Sequence, residues 1–260
     1  MAEERSPAAT LRTERCGQIL VMTIDRVAVR NAMDGPTARA LAAALDELDA
    51  DPDLFVGVLT GAGGTFCAGM DLKGFLTGDT PGIPGRGLGG LTQRPPRKPL
   101  VAAVEGWALA GGFEMVLACD LVVAARTARF GVPEVKRSLV AAAGAALRLP
   151  TRLPMALAME LLLTGDPIDA ERAARMGLVN TVVDEGSALT EAIELAERIA
   201  ANGPLAVQAT KRIALIAADW TDEERWTEQR KITEPVFSSE DAREGASAFV
   251  EKRAPVWAGR

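Results

Sequence analysis

Histidine and tyrosine are both absent from this 260-residue chain. Without imidazole, the chain cannot build a Ser-His-Asp triad, a Cys-His pair or a histidine-ligated zinc site. Proton transfer near neutral pH must therefore use carboxylates, lysine, cysteine or bound water.

Cysteine and positive charge are scarce as well. Cys16, Cys67 and Cys119 are widely spaced and form no CxxC pair, which is typical of free thiols in a reducing compartment. The formal net charge of −6 argues against nucleic acid as the main partner, because binding the phosphate backbone needs a dense basic surface. We therefore expect no metal site, no disulfide and no nucleic-acid partner.

Long apolar segments are also missing. Residues 1–5 are acidic and no apolar run follows them, unlike a secretory signal. No uncharged stretch is both long enough and poor enough in glycine to span a bilayer. We expect a cytoplasmic protein with no membrane partner, and the 48% hydrophobic content is ordinary for a globular enzyme.

Strand and helix patterns alternate in the first two thirds of the chain. Asp34-Gly35-Pro36 resembles the start of an amphipathic helix, and residues 111–118 have the length and composition of a short buried helix. This order predicts an α/β fold. Apolar runs of strand length occur at 18–24, 54–59, 100–104 and 121–125.

Helical patterns replace strands after Pro150, apart from an apolar run at 179–183. Ser187 is a candidate N-cap for one helix, and Ser238 with Asp241 resembles a capping box that opens the last helix. Helices with apolar faces beyond one compact core must cover that core or another subunit, so we expect self-association.

The segment 78–99 contains six glycines and five prolines in 22 residues, which predicts a loop without regular structure. Its letters at 85–90 match GxGxxG. They are not interpreted as a dinucleotide fingerprint, because they neither follow a strand nor open a helix.

Glycine-rich segments at 61–72 and 105–114 each follow a predicted strand. Glycine lets the backbone approach a ligand closely, and a helix that begins near Gly111 would aim free N–H groups at a developing oxyanion. Glu114 lies among apolar neighbours, where burial would raise its pKa and let it hold or give a proton near neutrality. The alternative for Glu114 is a structural carboxylate paired with an arginine.

Glu134 is a second candidate acid or base. It follows Pro133, which fixes the local backbone and favours the start of a short helix. The alternative for Glu134 is a solvated residue in the first helical turn, where the helix dipole favours a negative charge.

Taken together, these segments strongly resemble the enoyl-CoA hydratase/isomerase, or crotonase, superfamily. The resemblance covers nearly the whole chain. It implies an α/β spiral of repeated ββα units with the acyl-CoA site over residues 1–195, and a C-terminal helical trimerisation region over 196–260. A homotrimer or a dimer of trimers would follow. The matching segments are 25–33, 61–72, 104–120, 131–134 and 244–257.

The resemblance also assigns roles within the site. The substrate would be an acyl-CoA thioester, with no separate cofactor and no metal. The backbone N–H groups of Met70 and Gly111 would form an oxyanion hole for the thioester enolate, and Glu114 and Glu134 would be the acid/base residues. The implied CoA-binding residues are Arg26, Arg30, Ala68, Asp71, Leu72, Lys73 and Lys252.

The implied activity is that of an enoyl-CoA hydratase, the reversible syn addition of water to 2-enoyl-CoA giving 3-hydroxyacyl-CoA. One alternative is a Δ3,Δ2-enoyl-CoA isomerase, which needs one carboxylate and no water. The other alternative is a non-catalytic acyl-CoA-binding protein of the same fold.

Residues 140–146 are bulkier than the glycine-rich turn of many hydratases. Cys67 has no histidine to activate it and is expected to serve packing.

Overall fold

The structure, a computed structural model, describes residues 10–260 apart from the side chain of Phe75, so the acidic segment 1–5 lies outside the described residues. The strands are β1 (Leu11–Cys16), β2 (Ile19–Ile24), β3 (Val56–Gly61), β4 (Gly82–Ile83), β5 (Gly87–Leu88), β6 (Leu100–Val104), β7 (Trp107–Leu109), β8 (Leu121–Ala125), β9 (Arg129–Gly131), β10 (Ile168–Asp169) and β11 (Thr181–Val183). The helices are α1 (Gly35–Ala50), α2 (Leu72–Leu76), α3 (Gly111–Ala118), α4 (Ala145–Arg152), α5 (Met155–Thr164), α6 (Ala170–Arg175), α7 (Ala188–Ala200), α8 (Pro204–Ile216), α9 (Arg225–Phe237) and α10 (Glu240–Glu251).

A six-stranded sheet of order β1-β2-β3-β6-β8-β11 carries the core. Only β1 runs antiparallel to its neighbour, and the remaining pairs are parallel. The predicted strands are present, although β3 begins two residues after the start of the apolar run at 54–59. Their side chains are buried on both faces of the sheet, which explains why the runs are continuously apolar.

One face of this sheet packs against α7. Ala192, Ala196 and Ala200 belong to one buried apolar cluster together with the side chains of β2, β3 and β6 on this face of the sheet. The expected division of the chain after residue 195 falls inside α7. The helix packs on the sheet along its length, on both sides of residue 195.

The first turn of α7 is capped by a side chain that is distant in sequence. Ser187 occupies the N-cap position, but its side chain makes no capping hydrogen bond. Instead the Glu105 carboxylate accepts hydrogen bonds from the N–H groups of Gly186 and Ala188, each at 3.0 Å. The expectation for Ser187 was therefore right about the position and wrong about the group that caps it.

A second sheet, of order β10-β9-β7, repeats the pattern of strand, strand and helix. β6 is followed by β7 and α3, and β8 is followed by β9 and a 3-10 helix at Pro133–Arg137. Single β-bridges from Cys67 to Ala108 and from Met33 to Met70 extend this layer. The layer thus brings the glycine-rich segment after β3 alongside the start of α3.

The segment 78–99 contains a short antiparallel hairpin of β4 and β5, so the expectation of no regular structure was wrong. Gly85 and Gly87 have φ of +70° and +74°, which allows the chain to reverse within a few residues. Leu91 and Thr92 after the hairpin are buried, which fixes the segment to the core.

The last helices extend from the core. Lys211 of α8 holds this region to the sheet, with its Nζ 2.6 Å from the Asp120 carboxylate. Ser239, not Ser238, is the N-cap of α10, because the Ser239 hydroxyl oxygen accepts a hydrogen bond from the Ala242 N–H at 3.0 Å. The Ser238 hydroxyl instead donates to the Glu234 carbonyl in α9. Within residues 10–260 no helix is long and apolar enough to cross a membrane.

Candidate active site

Two backbone segments come together at the N-terminus of α3. A Cβ added at Gly69 would lie only 3.3 Å from the backbone nitrogen of Gly111. Since Met70 follows Gly69, the N–H groups of Met70 and Gly111 lie in the same small region. Neither N–H donates a hydrogen bond to another group within the part of the chain that the structure describes. Both are therefore available to an oxygen atom from outside the protein.

The orientation of Met70 is fixed by Met33. The Met33 N–H donates to the Gly69 carbonyl at 2.8 Å, and the Asp71 N–H donates to the Met33 carbonyl at 2.8 Å. Successive N–H groups of an extended segment point to opposite sides. The Met70 N–H therefore faces away from Met33.

The orientation of Gly111 depends on Ala110 and Gly112. Ala110 has φ of +50°, which is strained for an L-residue, and its N–H is anchored on the Gly131 carbonyl at 2.9 Å. A Cβ added at Gly112 would lie 2.2 Å from the Cys67 carbonyl oxygen. The first turn of α3 can approach the neighbouring segment this closely only with glycine at position 112.

Cys67 contributes to the same turn as a buried thiol. Its Sγ accepts a hydrogen bond from the Gly69 N–H at 3.4 Å. Burial raises the pKa of this thiol to about 12, so it stays protonated near neutral pH. These observations support the packing role expected for Cys67.

Glu114 of α3 is a buried carboxylate, only 3% exposed. Its Oε1 accepts a hydrogen bond from the Ala145 N–H at 3.0 Å. Burial raises the pKa of Glu114, and this N–H and the positive charge of Arg148 partly oppose that effect. Among the described residues Glu114 has no arginine ion-pair partner, which was the alternative interpretation of this residue.

Glu134 lies in the 3-10 helix after β9 and is partly buried. Its Oε2 is buried without a hydrogen-bond partner. Burial raises the pKa of Glu134 to about 7, and the negative charge of Glu114 adds to the rise. A solvated first-turn glutamate would show neither feature. The effect of Glu114 places the two carboxyl groups within electrostatic range of each other.

The bulkier segment 140–146 contributes directly to this arrangement. Its last residues open α4, and the backbone N–H groups of Ala143 and Gly144 also favour the ionised form of Glu114. The N-terminus of a helix carries unpaired N–H groups and partial positive charge. Backbone donors therefore hold Glu114 even where side-chain bulk departs from the expected glycine-rich turn.

The hairpin of segment 78–99 forms an apolar wall beside the N-terminus of α3. A Cβ added at Gly111 would lie 2.8 Å from Cδ2 of Leu88. Two free N–H donors, two carboxyl groups with raised pKa values and an apolar wall thus surround one region. Such a region can bind a carbonyl oxygen, stabilise negative charge on it and exchange protons with the neighbouring carbon atoms.

Comparison with known proteins assigns this arrangement to a family. The family model for enoyl-CoA hydratase/isomerase matches residues 14–260. The chain belongs to the enoyl-CoA hydratase/isomerase family. The predicted resemblance, and with it the prediction of an enzyme of this family, is confirmed.

Similar members of the enoyl-CoA hydratase/isomerase family include both hydratases and dehydratases by name. The chain is 46% identical to enoyl-CoA hydratase EchA19 of Mycobacterium tuberculosis, over 95% of this chain and 96% of that protein. It is 42% identical to the carnitinyl-CoA dehydratase of Salmonella typhi, over 96% of this chain and 99% of that protein.

Solved structures of the family share the whole fold. Enoyl-CoA hydratase EchA1 from Mycobacterium marinum is 56% identical, with a TM-score of 0.95 over 97% of this chain and 100% of that chain. A carnitinyl-CoA hydratase from Mycobacterium avium is 44% identical, with a TM-score of 0.78 over 97% of this chain and 99% of that chain. The predicted α/β crotonase-like fold is confirmed.

Arg26, expected to bind CoA, is already paired within the protein. Its Nη2 lies 2.9 Å from the Asp34 carboxylate and 3.1 Å from the Asp71 carboxylate, and its Nη1 donates to the Ala32 carbonyl. The side chain is 16% exposed. Arg26 therefore supports the segment that carries Met70, and its charge is largely neutralised by two carboxylates.

The other residues expected to bind CoA lie in three places. Arg30 and Lys73 are exposed cations, and Ala68 is partly buried, with its N–H donating to the Arg30 carbonyl at 3.0 Å. Leu72 is 46% exposed and opens α2. Lys252 ends α10 with φ of +55°, in the C-terminal region.

Sequence reasoning missed Ala145, Arg148, Thr92 and Leu88. Ala145 lies at Glu114 and Leu88 at Gly111 only because α4 and the hairpin fold back onto α3, and Arg148 with Thr92 connects the two. Arg148 sits within an amphipathic helix and Leu88 within a glycine-rich loop, and nothing in either local pattern marks them.

Proposed function

We propose that this protein catalyses the reversible syn addition of water to a 2-enoyl-CoA, giving a 3-hydroxyacyl-CoA. The observation that carries the proposal is the pairing of a buried carboxyl group, Glu114, with a partly buried one, Glu134, that differ in how they are held. Glu114 is held by the Ala145 N–H, whereas Glu134 keeps an unpartnered oxygen. An isomerase needs one such group, and addition of water uses two.

The thioester carbonyl oxygen accepts hydrogen bonds from the Met70 and Gly111 N–H groups. When oxygen adds at C3, the electrons of the double bond move toward this carbonyl and form an enolate. Each donor of an oxyanion hole contributes about 3 kcal/mol of transition-state stabilisation. Both donors are held in place before substrate binds, so no reorganisation cost arises during the reaction.

The two carboxyl groups divide the proton transfers. Glu114 in its ionised form accepts a proton from water as the water oxygen bonds to C3. Glu134, whose pKa is about 7, holds a proton near neutral pH and gives it to C2 of the enolate. A proton passing from Glu114 to Glu134 restores the starting state, and the reverse sequence dehydrates the 3-hydroxyacyl-CoA.

Coenzyme A enters the site as part of the thioester substrate, so the reaction needs no separate cofactor. CoA is polyanionic and the chain carries a net charge of −6, so binding requires a local cationic patch. Arg30, Lys73 and Lys252 are exposed and available for the CoA phosphates. Ala68 and Asp71 flank the backbone stretch that would lie beside the adenine end of CoA, and Leu72 would complete the CoA-binding residues here.

The names of the relatives support this reaction, because hydratase and dehydratase denote the two directions of one reversible reaction. The direct test is to incubate the protein with crotonyl-CoA and longer 2-enoyl-CoAs and to identify the products. Formation of 3-hydroxyacyl-CoA is the expected result. Conversion of 3-enoyl to 2-enoyl thioesters without hydration would instead identify an isomerase. Binding without turnover of either class would identify an acyl-CoA-binding protein.

A further inference from the structure

We propose that Arg148 is a positioning residue that ties the apolar wall of the acyl site to the helix turn that holds Glu114. The proposal rests on the proposed hydratase function and concerns the same site. Arg148 is in α4, one turn after the N–H groups that face Glu114.

The guanidinium of Arg148 lies over the N-terminus of its own helix. A Cβ added at Gly144 would lie 2.1 Å from its Nη1, which places the guanidinium directly against the N-cap residue. Gly144 has φ of +122°, a conformation that favours glycine at this position. Nη2 of Arg148 donates a hydrogen bond to the Thr92 carbonyl. The side chain thus bridges α4 and the end of the segment 78–99.

On the loop side, the contacts of Arg148 continue through Thr92 and Leu88 to Gly111, one of the two oxyanion donors. Thr92 is buried, and its Oγ1 accepts a hydrogen bond from the Leu88 N–H at 3.0 Å. The Leu88 side chain lies against Gly111, where an added Cβ would be 2.8 Å from its Cδ2. Arg148 therefore fixes the loop whose leucine borders the proposed acyl site.

On the carboxylate side the connection is both electrostatic and structural. The N–H of Ala145, three residues before Arg148, donates to Glu114. The positive charge of Arg148 lowers the pKa of Glu114 and opposes the effect of burial. The second carboxyl near Glu114 is that of Glu134. The other groups that face these two carboxyls are Arg137, which lies beside Glu134, and the N–H groups of 143–145, which face Glu114.

Arg152 provides a matched control on the same helix. It lies one turn further along α4, and the groups that act on it are Cys119 and Asp120, not Glu114. Arg152 is close enough to Arg148 to lower its pKa, but it has no hydrogen bond to Thr92 and does not act on Glu114. Replacing Arg152 therefore removes the same charge from α4 and leaves the hydrogen bond between Arg148 and Thr92 in place. The two arginines therefore separate a specific role from a general effect of charge.

The experiment compares Arg148→Gln, Arg148→Lys and Arg152→Gln with the wild-type protein. The pH profile of kcat/KM and the ratio of kcat/KM for a long and a short 2-enoyl-CoA are measured for each. For Arg148→Gln we expect the acidic limb to move up by about half a pH unit, because a positive charge near Glu114 is lost. We also expect the chain-length ratio to change about threefold or more, because the wall at Leu88 is released.

Arg148→Lys keeps the charge and loses the planar guanidinium, so its pH profile should return toward the wild type while the chain-length ratio stays altered. Arg152→Gln should change neither readout. A wild-type pH profile and chain-length ratio in Arg148→Gln, or equal changes in Arg152→Gln, would overturn the proposal. If Arg148→Gln does not fold, an unchanged chain-length ratio in Arg148→Lys would overturn it.

Failure of the proposed function is recognised separately, because the wild-type protein would then show no hydration. In that case the Glu114 carboxyl is titrated by NMR with ¹³C-labelled glutamate, its signal being assigned by its loss in Glu114→Gln. A higher pKa for Glu114 in Arg148→Gln than in Arg152→Gln is expected. Equal values would overturn the positioning role.

Discussion

The backbone N–H of Ala145 donates a hydrogen bond to the Glu114 carboxylate at 3.0 Å. This bond fixes one carboxylate of the site at the N-terminus of α4. Glu134 has no comparable anchor on its buried Oε2. The two glutamates therefore differ in their surroundings, which is the condition for giving them different roles in proton transfer.

Replacing either glutamate by glutamine should reduce turnover far more than binding. We expect Glu114→Gln and Glu134→Gln to lower kcat by about 10²- to 10⁴-fold, because each removes a group that moves a proton. Affinity for a saturated acyl-CoA, measured by calorimetry, should change little. Glu185→Gln is the control, since Glu185 is exposed in the loop before α7. Near-normal kcat in both site variants would contradict the two-carboxylate mechanism.

Glu134→Gln should also make stability less dependent on pH. The folded-state pKa of Glu134 is raised from 4.5 to about 7. Ionising this carboxyl is therefore harder in the folded chain than in the unfolded chain, and the free energy of unfolding falls as the pH rises through that window. Glutamine removes this effect. We expect the variant to gain about 1–2 kcal/mol at about pH 8, below the full linkage value because the carboxyl is partly exposed. Thermal unfolding should show a higher Tm there and no gain at about pH 4. An equal gain at both pH values would contradict this origin.

Gly69→Ala and Gly64→Ala should separate backbone strain from loss of the oxyanion hole. Both glycines have positive φ, +103° and +72°, but only a Cβ at Gly69 would crowd Ala110 and the Gly111 nitrogen. Gly64→Ala should cost about 1 kcal/mol of stability and keep kcat. Gly69→Ala should lower kcat about 10²-fold or more by displacing a donor. Circular dichroism melts and steady-state kinetics measure both effects. A similar kcat in the two variants would rule out this role for the close approach at Gly69.

Arg26→Gln should distinguish support of the oxyanion segment from binding of CoA phosphates. Arg26 is paired with Asp34 and Asp71, so its loss should disturb Met70 whatever the substrate carries. We expect kcat to fall about tenfold or more with both CoA and pantetheine thioesters, the latter lacking the nucleotide phosphates. A defect restricted to CoA thioesters and expressed in KM would show that Arg26 binds phosphate.

Self-association should bury the apolar surface of the C-terminal helices. Trp226, Phe237 and Phe249 are 68%, 80% and 85% exposed in the single chain. Exposed aromatic residues this large and this numerous are typical of an interface. We expect a homotrimer or a dimer of trimers by light scattering, and a lower mass for the double variant Trp226→Glu and Phe237→Glu. A monomer at micromolar concentration for the unaltered chain would contradict this prediction.

The amino-acid sequence by itself determined the class of fold and predicted which residues form the candidate site. Short continuous apolar runs that alternate with helical patterns favour strands covered on both faces, so an α/β sheet followed from local pattern. The absence of histidine and the position of Glu114 in an apolar helix directed the chemistry to carboxylates. These properties are local, and residues close in sequence express them.

Tertiary structure decided which groups hold those residues in place. Glu114 is anchored by Ala145 rather than by an arginine, Arg26 is engaged by Asp34 and Asp71, and α7 is capped by Glu105 rather than by Ser187. Apart from Arg26 and Asp34, these pairs are separated by 31 residues or more in the chain. Local propensity carries no information about such partners, because a hydrogen bond between distant segments depends on how the sheets bring their ends together.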